Sequence, residues 1–262
     1  MIYNLGIVLY KPTNEIIKKV NAICSYSVWD KVFVYVNSKV DESSLIQSAT
    51  ILGECENHGL SKPYNCFINL SNNADYLCVM DQDSIFEEQE IMNIVSFINK
   101  SDNLQKVGIV APRSFAAVSK DVQRGDRTSF AKYVINSGSF INLDFVRRNN
   151  LRYDEKIFLD GLDYDFCWQI RKVGGAIVIY ENSVLLQDLG TTTSKRKCNH
   201  SPIRFFYMAS SRRYTYQKFK GKIVGWIISF MKTISNVFKI VFYEDSKLAK
   251  IKHCFKGQFT KL

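Results

Sequence analysis

The sequence predicts an α/β fold built on a parallel sheet, and three observations carry that expectation. Residues 5–10 (LGIVLY) form an unbroken apolar run that stops at Lys11-Pro12, as in a strand buried on both faces. Ile16, Ile17, Val20, Ile23 and Cys24 then recur at helical spacing after a Thr13-Asn14-Glu15 cap. Lys31–Val36 (KVFVYV) supplies a second strand, ended by Asn37-Ser38. A β-α-β opening needs a crossover, so the two strands pair in parallel and helices cover the sheet faces.

The alternation continues along the chain. A short helix over 43–48 and a short strand over 50–52 lead to a helix over 59–72, with Pro63 tolerated in its first turn. A strand over 76–80 (YLCVM), a helix over 87–99 and a strand over 107–110 follow. Residues 132–143 (KYVINSGSFINL) read as strand, 163–173 as helix and 176–180 as strand. After Gly190 the strand pattern stops, and 203–219 and 223–243 read as helices. The expected organisation is a sheet domain over 1–190 and a helical region over 191–262.

Composition excludes several classes. With 262 residues, 46% hydrophobic and 23% charged, the chain is neither disordered nor fibrous. Seven scattered cysteines with no CxxC pair read as thiols of a reducing compartment, and the N-terminus lacks the pattern of a signal peptide. The net charge of +10 is unevenly spread. From Thr191 onward sixteen basic residues face only Glu244 and Asp245, a surplus of 14, whereas the first 190 residues hold 19 basic against 23 acidic. A basic tail on a slightly acidic body points to a polyanionic partner, either nucleic acid or an anionic lipid surface.

Ligands of open α/β sheets sit at the C-terminal ends of the strands, so polar residues directly after strands carry the functional information. Asp81-Gln82-Asp83-Ser84 follows YLCVM. In extended chain residues two apart point the same way, so Asp81 and Asp83 can face one hard cation, although acidic loops after strands are also common. A second cluster, residues 158–166 (FLDGLDYDF), places Asp160, Asp163 and Asp165 within six positions at a helix start. Such acids can be simple helix caps. They can also crowd one another until one pKa rises, which suits a general base. Asn57-His58-Gly59 leads into a helix, where Gly59 permits close backbone approach and the helix start favours anions. Asn136-Ser137-Gly138-Ser139 places small residues inside a strand pattern, which marks a bulge, a tight contact or a ligand meeting backbone.

Taken in order, these segments resemble the family 2 (GT-A) glycosyltransferases, most closely their bacterial rhamnosyltransferase branch. The matching pieces are GIVLYKP (6–12), NHGLSKPYN (57–65), MDQDS (80–84) and APR (111–113). NSGSFI (136–141), YDEKIFLDGLDYDFCWQIRKVGG (153–175) and HSPIRFFYM (200–208) complete the set. Each piece alone is weak; their order and spacing over nearly the whole chain make the resemblance specific. It implies a GT-A, Rossmann-like mixed sheet flanked by helices with a basic helical C-terminal extension. It further implies a nucleotide-sugar donor, dTDP-L-rhamnose in this branch, held near Tyr10, Asn37, Asn57, Gly59, Asp81, Ser137 and Gly138. Asp81 and Asp83 would hold Mg²⁺ or Mn²⁺ on the donor diphosphate, with Asp83 the more direct ligand. Asp163 would be the base that deprotonates the acceptor, giving inversion at the anomeric carbon. Three positions depart from the family pattern. Asn37 stands where the family has an acid, Gln187-Asp188-Leu189-Gly190 replaces an HxxG-type segment, and Ser210-Ser211 precedes Arg212 and Arg213 where Arg-Asn is common.

The family's acceptors are commonly polyprenyl-linked sugars, which implies a cytoplasmic enzyme peripheral on the inner face of a bacterial membrane. The tail fits that expectation. In 222–243 the residues Lys222, Gly225, Ser229, Lys232, Asn236 and Lys239 fall on one helical stripe, and nearly everything else is apolar. Such a helix reads as interfacial, with that stripe toward water; a helix docked on the body or a dimer seam would share the pattern. A nucleic-acid-binding protein, with 195–213 as its basic aromatic patch, is a different reading that leaves the carboxylate motifs unused. A nucleotidyltransferase using the same pair of carboxylates is a third.

Overall fold

The structure is a computed structural model, and it describes residues 1–41, 44–116, 125, 127–187 and 200–262. The chain folds as two units. One comprises Met1–Tyr153 and Phe166–Asp188, the other Asp154–Asp165 and Leu189–Leu262.

The first unit holds the sheet. Its elements in chain order are β1 (Tyr3–Leu9), α1 (Asn14–Cys24), β2 (Lys31–Val36), β3 (Thr50–Leu52), α2 (Ser61–Leu70), β4 (Tyr76–Asp81), β5 (Ser84–Ile85) and α3 (Glu88–Lys100). They continue with β6 (Val107–Ala116), β7 (Thr128–Phe130), β8 (Ser139–Asn142), α4 (Leu143–Arg148), α5 (Leu162–Lys172) and β9 (Ala176–Gln187). The division between units falls inside α5, after Asp165. The strand order is β3-β2-β1-β4-β8-β6-β9-β5, with β7 beside β9. β3, β2, β1 and β4 run parallel, and β8 lies antiparallel between β4 and β6, so the sheet is mixed.

β1 is buried along its whole length, which is why it reads as a continuous apolar run. Tyr3, Leu5, Ile7 and Leu9 pack with Ile17, Val20 and Ile23 of α1 and with Ile91, Ile94 and Ile98 of α3. Gly6 points to the other face, where a Cβ would sit 2.4 Å from the Phe67 ring of α2. The Phe67 ring in turn stacks on Phe33 of β2 at 6.2 Å. Gly108 of β6 meets Ile170 of α5 in the same way, at 2.7 Å.

The strand expected over 132–143 is only β8. Before it the chain turns: Gly138 has φ +75°, the Ser139 N–H donates to the Asn136 carbonyl at 2.9 Å, and the Ser139 hydroxyl donates to the Ile135 carbonyl at 2.6 Å. The strand expected over 107–110 continues to Ala116, paired along β9 through an irregularity at Pro112/Arg113. The helix expected over 43–48 does not form: 45–48 is bend and turn, closed by the Ala49 N–H donating to the Ile46 carbonyl at 3.1 Å, while of the segment 187–190 only Gln187 lies among the described residues.

The second unit holds α6 (Pro202–Lys220), α7 (Lys222–Tyr243) and α8 (Lys247–Phe259). Glycines let these helices touch backbone to backbone. A Cβ on Gly225 of α7 would lie 2.4 Å from the Tyr216 carbonyl oxygen of α6, and one on Gly257 of α8 2.3 Å from that of Phe206. Ser229 and Thr233 of α7 donate to the Gln258 side-chain oxygen at 2.9 and 3.0 Å. Lys250 is buried and bound to Glu244 at 2.7 Å and to Asp245. The stripe expected to face water is therefore split. Gly225 and Ser229 are buried in the seam, because small residues permit the close crossing, whereas Lys222, Lys232 and Lys239 are exposed.

Candidate active site

Parallel registry brings the strand ends of the first unit to one edge. Val8 pairs with Asp81 and Leu9 with Val36, so Tyr10, Asn37 and Asp81 follow one another along the C-terminal edge of β1, β2 and β4. Gln82 locks this edge. Its side-chain oxygen accepts from the Tyr10 N–H at 2.8 Å, and its side-chain NH₂ donates to the Tyr10 carbonyl at 3.0 Å. β4 ends at Asp81 and β5 begins at Ser84, so Gln82 and Asp83 form the turn between them rather than the extended chain that the sequence suggests.

Asp81 is half-buried and Asp83 exposed. The buried Tyr64 of α2 donates its hydroxyl to Asp81 Oδ1 at 3.2 Å. The Asp81 N–H donates to Ser137 Oγ at 3.0 Å, and Ser137 shares a 2.7 Å hydrogen bond with Ser84. Gly138 is fixed beside them: its N–H donates to the Val79 carbonyl at 2.8 Å, and a Cβ would lie 2.9 Å from Leu185. Among the described residues there is no group of three or more His, Cys, Asp or Glu that could hold a metal. Two carboxylates beside an open edge still fit a magnesium-type ion, which completes its shell with water and phosphate oxygens.

At position 37 both ends of an amide are used. Its NH₂ donates to the Gly59 carbonyl at 2.6 Å, and its oxygen accepts from the His58 N–H at 3.1 Å. Asn57 adds a 3.0 Å bond from the Gly59 N–H to its side-chain oxygen, and Gly59 has φ +71°. Both ends of the Asn37 amide therefore hold the 57–59 loop, which a carboxylate, an acceptor only, cannot do. Asn37→Asp is expected to lower stability by about 1–3 kcal/mol, by leaving the Gly59 carbonyl without its donor. Thermal melting checks this, and an unchanged midpoint would show that the amide does not hold the loop.

The acids of FLDGLDYD lie in the second unit, where each has a different fate. Asp165 is buried and takes Lys218 Nζ on both oxygens, at 2.9 and 3.1 Å. The same ammonium reaches Asp154 at 2.8 Å, and the Tyr214 hydroxyl also donates to Asp154, at 2.8 Å. Asp160 pairs with Arg204 at 3.1 Å. Asp163 has no cationic partner among the described residues, and its Oδ1 accepts from the Tyr164 N–H at 2.9 Å. Burial pushes its carboxyl up to about 6; the Tyr164 N–H pulls the other way, and the Asp160 charge adds a smaller upward push. The expected rise therefore comes mainly from lost hydration rather than from crowding. Lys218→Met would leave Asp165 buried without its cation, an expected loss of about 3 kcal/mol. Chemical denaturation reads that loss directly, and a wild-type midpoint would contradict the assignment of Asp165 to the framework.

Sequence reasoning missed Tyr64 and Gln82, whose partners are Asp81 and the Tyr10 backbone. His58 is partly buried, and its Nε2 has no hydrogen-bond partner among the described residues.

No protein-family model matches the chain, and no curated protein matches it. Solved structures do. The 1–349 portion of S. aureus TarS in complex with UDP is 13% identical, with a TM-score of 0.54 over 83% of this chain and 66% of that one. The same portion in complex with UDP-GlcNAc is 12% identical, with a TM-score of 0.55 over 93% and 74%. GalNAc-T7, with UDP, GalNAc and Mn²⁺, is 9% identical, with a TM-score of 0.58 over 80% of this chain and 47% of that one. The chain thus spans about two thirds of the first TarS structure and under half of GalNAc-T7. At such identities the likeness concerns the fold, and with the mixed sheet and its flanking helices it shows that this chain has the GT-A fold.

Proposed function

We propose that the chain is an inverting glycosyltransferase that uses a divalent cation and a nucleotide-sugar donor. The observation that carries this reading is the sorting of acids in FLDGLDYD. Asp160 and Asp165 are matched by Arg204 and Lys218, whereas Asp163 is partly buried, lacks a cation among the described residues and has its carboxyl pushed up to about 6. A carboxylate so placed is ionised near neutrality yet basic enough to take a proton.

In the proposed reaction Asp163 accepts the proton of an acceptor hydroxyl. The freed oxygen forms a bond to the anomeric carbon while the bond from that carbon to the phosphate oxygen breaks. The nucleoside diphosphate departs with the electron pair, and one displacement inverts the anomeric configuration. Asp81 and Asp83 would hold Mg²⁺ or Mn²⁺, which when bound offsets negative charge on the departing diphosphate. Tyr64 and Ser137 position Asp81 through its carboxylate and its N–H. Asn37 and Asn57 shape the 57–59 loop on the donor edge.

The ordered motifs favour dTDP-L-rhamnose as donor, which would yield an α-L-rhamnoside from a β-L donor. They favour a polyprenyl-linked saccharide acceptor in bacterial surface polysaccharide synthesis, on the cytoplasmic face of the membrane. A second donor reading rests on Asn37: the family's acid is absent from the edge, and the neighbours of like fold bind UDP or UDP-GlcNAc. Calorimetric titration with dTDP-, UDP- and GDP-sugars in the presence of Mg²⁺ separates these readings. Selective binding of dTDP-L-rhamnose supports the first, selective binding of a UDP-sugar the second, and binding of none overturns the nucleotide-sugar assignment.

A further inference from the structure

α7 is amphipathic with its faces reversed from those of a soluble core helix. The residues it buries are Gly225, Ser229, Thr233 and Ile240, three of them small or polar. Those it exposes include Ile223 at 76%, Val224, Ile227, Met231 at 64%, Phe238, Val241 and Phe242 at 72%. At 100° per residue the buried set and the exposed set fall on opposite sides of the helix. α7 is thus held to α6 and α8 by a seam of small residues and hydrogen bonds, and it turns its large apolar side chains outward. An outward apolar strip along a 22-residue helix is more than an isolated protein leaves in water without use.

The charge around the strip says what covers it. Lys232 and Lys239 are exposed and lie along one border, and Lys222 stands at the N-terminal end. Lys247, Lys252, Lys256 and Lys261, exposed on and just beyond α8, add positive charge to the same unit, although α8 itself is fastened to the buried face of α7. The two acids of this region, Glu244 and Asp245, are both engaged by the buried Lys250. We infer that the outward face of α7 is a docking surface for an anionic lipid bilayer, with the helix lying in the plane of the interface. Lysine heads would reach the phosphates while Ile223, Ile227, Met231, Phe238 and Phe242 enter the acyl boundary. The length and apolar composition of α7 would also suit a helix that crosses the bilayer. Crossing would carry Lys232, Lys239 and the seam to Gln258 into hydrocarbon, where charged and polar groups are costly. The parallel orientation keeps the seam on α6 and α8 and the lysines in water. This inference goes beyond the transferase reading and stands without it, because binding to lipid needs no turnover.

The test is co-sedimentation of the full chain with vesicles of phosphatidylcholine alone and of phosphatidylcholine containing phosphatidylglycerol, alongside sedimentation velocity without lipid. Wild type is expected to bind the anionic vesicles and to leave the neutral ones largely free. The double variant Ile227→Glu/Met231→Glu changes only exposed side chains, so it should melt as wild type does and lose vesicle binding by about tenfold or more. Lys232→Glu/Lys239→Glu should weaken binding to anionic vesicles by about tenfold. Wild type left in the supernatant with both vesicles, or an Ile227→Glu/Met231→Glu variant that binds as well as wild type, would overturn the inference. A dimer without lipid that this variant dissociates, with no vesicle binding by wild type, would assign the face to a second copy and overturn it too. Carbonate-resistant insertion of wild type into vesicles would replace the interfacial orientation with a spanning one.

Discussion

Asp163→Asn is expected to lower kcat by about 10²–10⁴-fold while leaving donor affinity near wild type, the loss typical of a missing general base. The same substitution is expected to leave the fold as stable as before or to stabilise it. The Asp163 carboxyl titrates near 3.8 when unperturbed and at about 6 in the folded chain. Both states are protonated below the lower value. As pH rises through the interval the unfolded chain ionises first, so folding stability is lost up to about pH 6 and stays lost above it. Asparagine keeps an acceptor for the Tyr164 N–H and has no charge to bury. At pH 8 the variant should therefore gain on the order of 1–3 kcal/mol, and the gain should vanish by about pH 3. Denaturant unfolding at the two pH values, beside single-turnover kinetics, reads both effects. An inactive but stabilised variant is the signature of a group held in an unfavourable place for use. A destabilised variant with near-normal turnover would return Asp163 to the role of a helix cap. In wild type, kcat/KM should fall as pH drops through about 6, where the base becomes protonated.

Asp83→Ala is expected to remove most of the metal-dependent part of donor binding, and Asp81→Ala to do the same with an added structural cost. The difference follows from their surroundings. Asp83 is exposed at the edge, whereas Asp81 takes the Tyr64 hydroxyl and its N–H is tied to Ser137. For Asp83→Ala, donor affinity measured with Mg²⁺ should fall by about 10–100-fold toward the value measured with a chelator, while the melting temperature changes little. For Asp81→Ala, loss of the Tyr64 partner should also cost stability, about 1 kcal/mol. Equal affinity with and without Mg²⁺ in wild type would reject the metal role of both residues. A wild-type response from Asp83→Ala alone would leave Asp81 as the carboxylate that matters.

Much of the sheet was legible because burial on both faces writes itself as apolar runs. β1, β2 and β4 have no exposed face to impose alternation, and α1 and α3 show the helical period that packs on them. The elements that sequence reasoning missed exist through partners far along the chain. β5 and β7 are two and three residues long and are strands because β9 pairs with them. β8 loses the first half of its expected length to a turn that only Gly138 and the hydroxyl of Ser139 make possible. α8 carries lysines and a glycine that suggest a loop, yet Gly257 is what lets it approach α6.

The candidate site divides the same way. That Asp81 and Asp83 sit together at the end of β4 was legible from the motif; the turn at 82–83, where Gln82 locks to Tyr10, was not. Which acid of FLDGLDYD lacks a cation among the described residues was not legible. Arg204 and Lys218 reach Asp160 and Asp165 from 44 and 53 residues away. For α7 the pattern revealed two faces but not which one the protein keeps. The stripe holding Gly225 and Ser229 looked like the wet side, and it is instead where the helix is fastened.

Turnover of the full chain with a panel of nucleotide sugars, using bacterial membrane lipid as acceptor source, with and without Mg²⁺, decides whether the protein is a glycosyltransferase. Mg²⁺-dependent release of a nucleoside diphosphate is expected, with the sugar recovered in the lipid fraction, from one donor class and above all dTDP-L-rhamnose. Release of pyrophosphate from a nucleoside triphosphate, with no sugar transferred from any donor, would contradict that expectation and assign the carboxylates to nucleotidyl transfer.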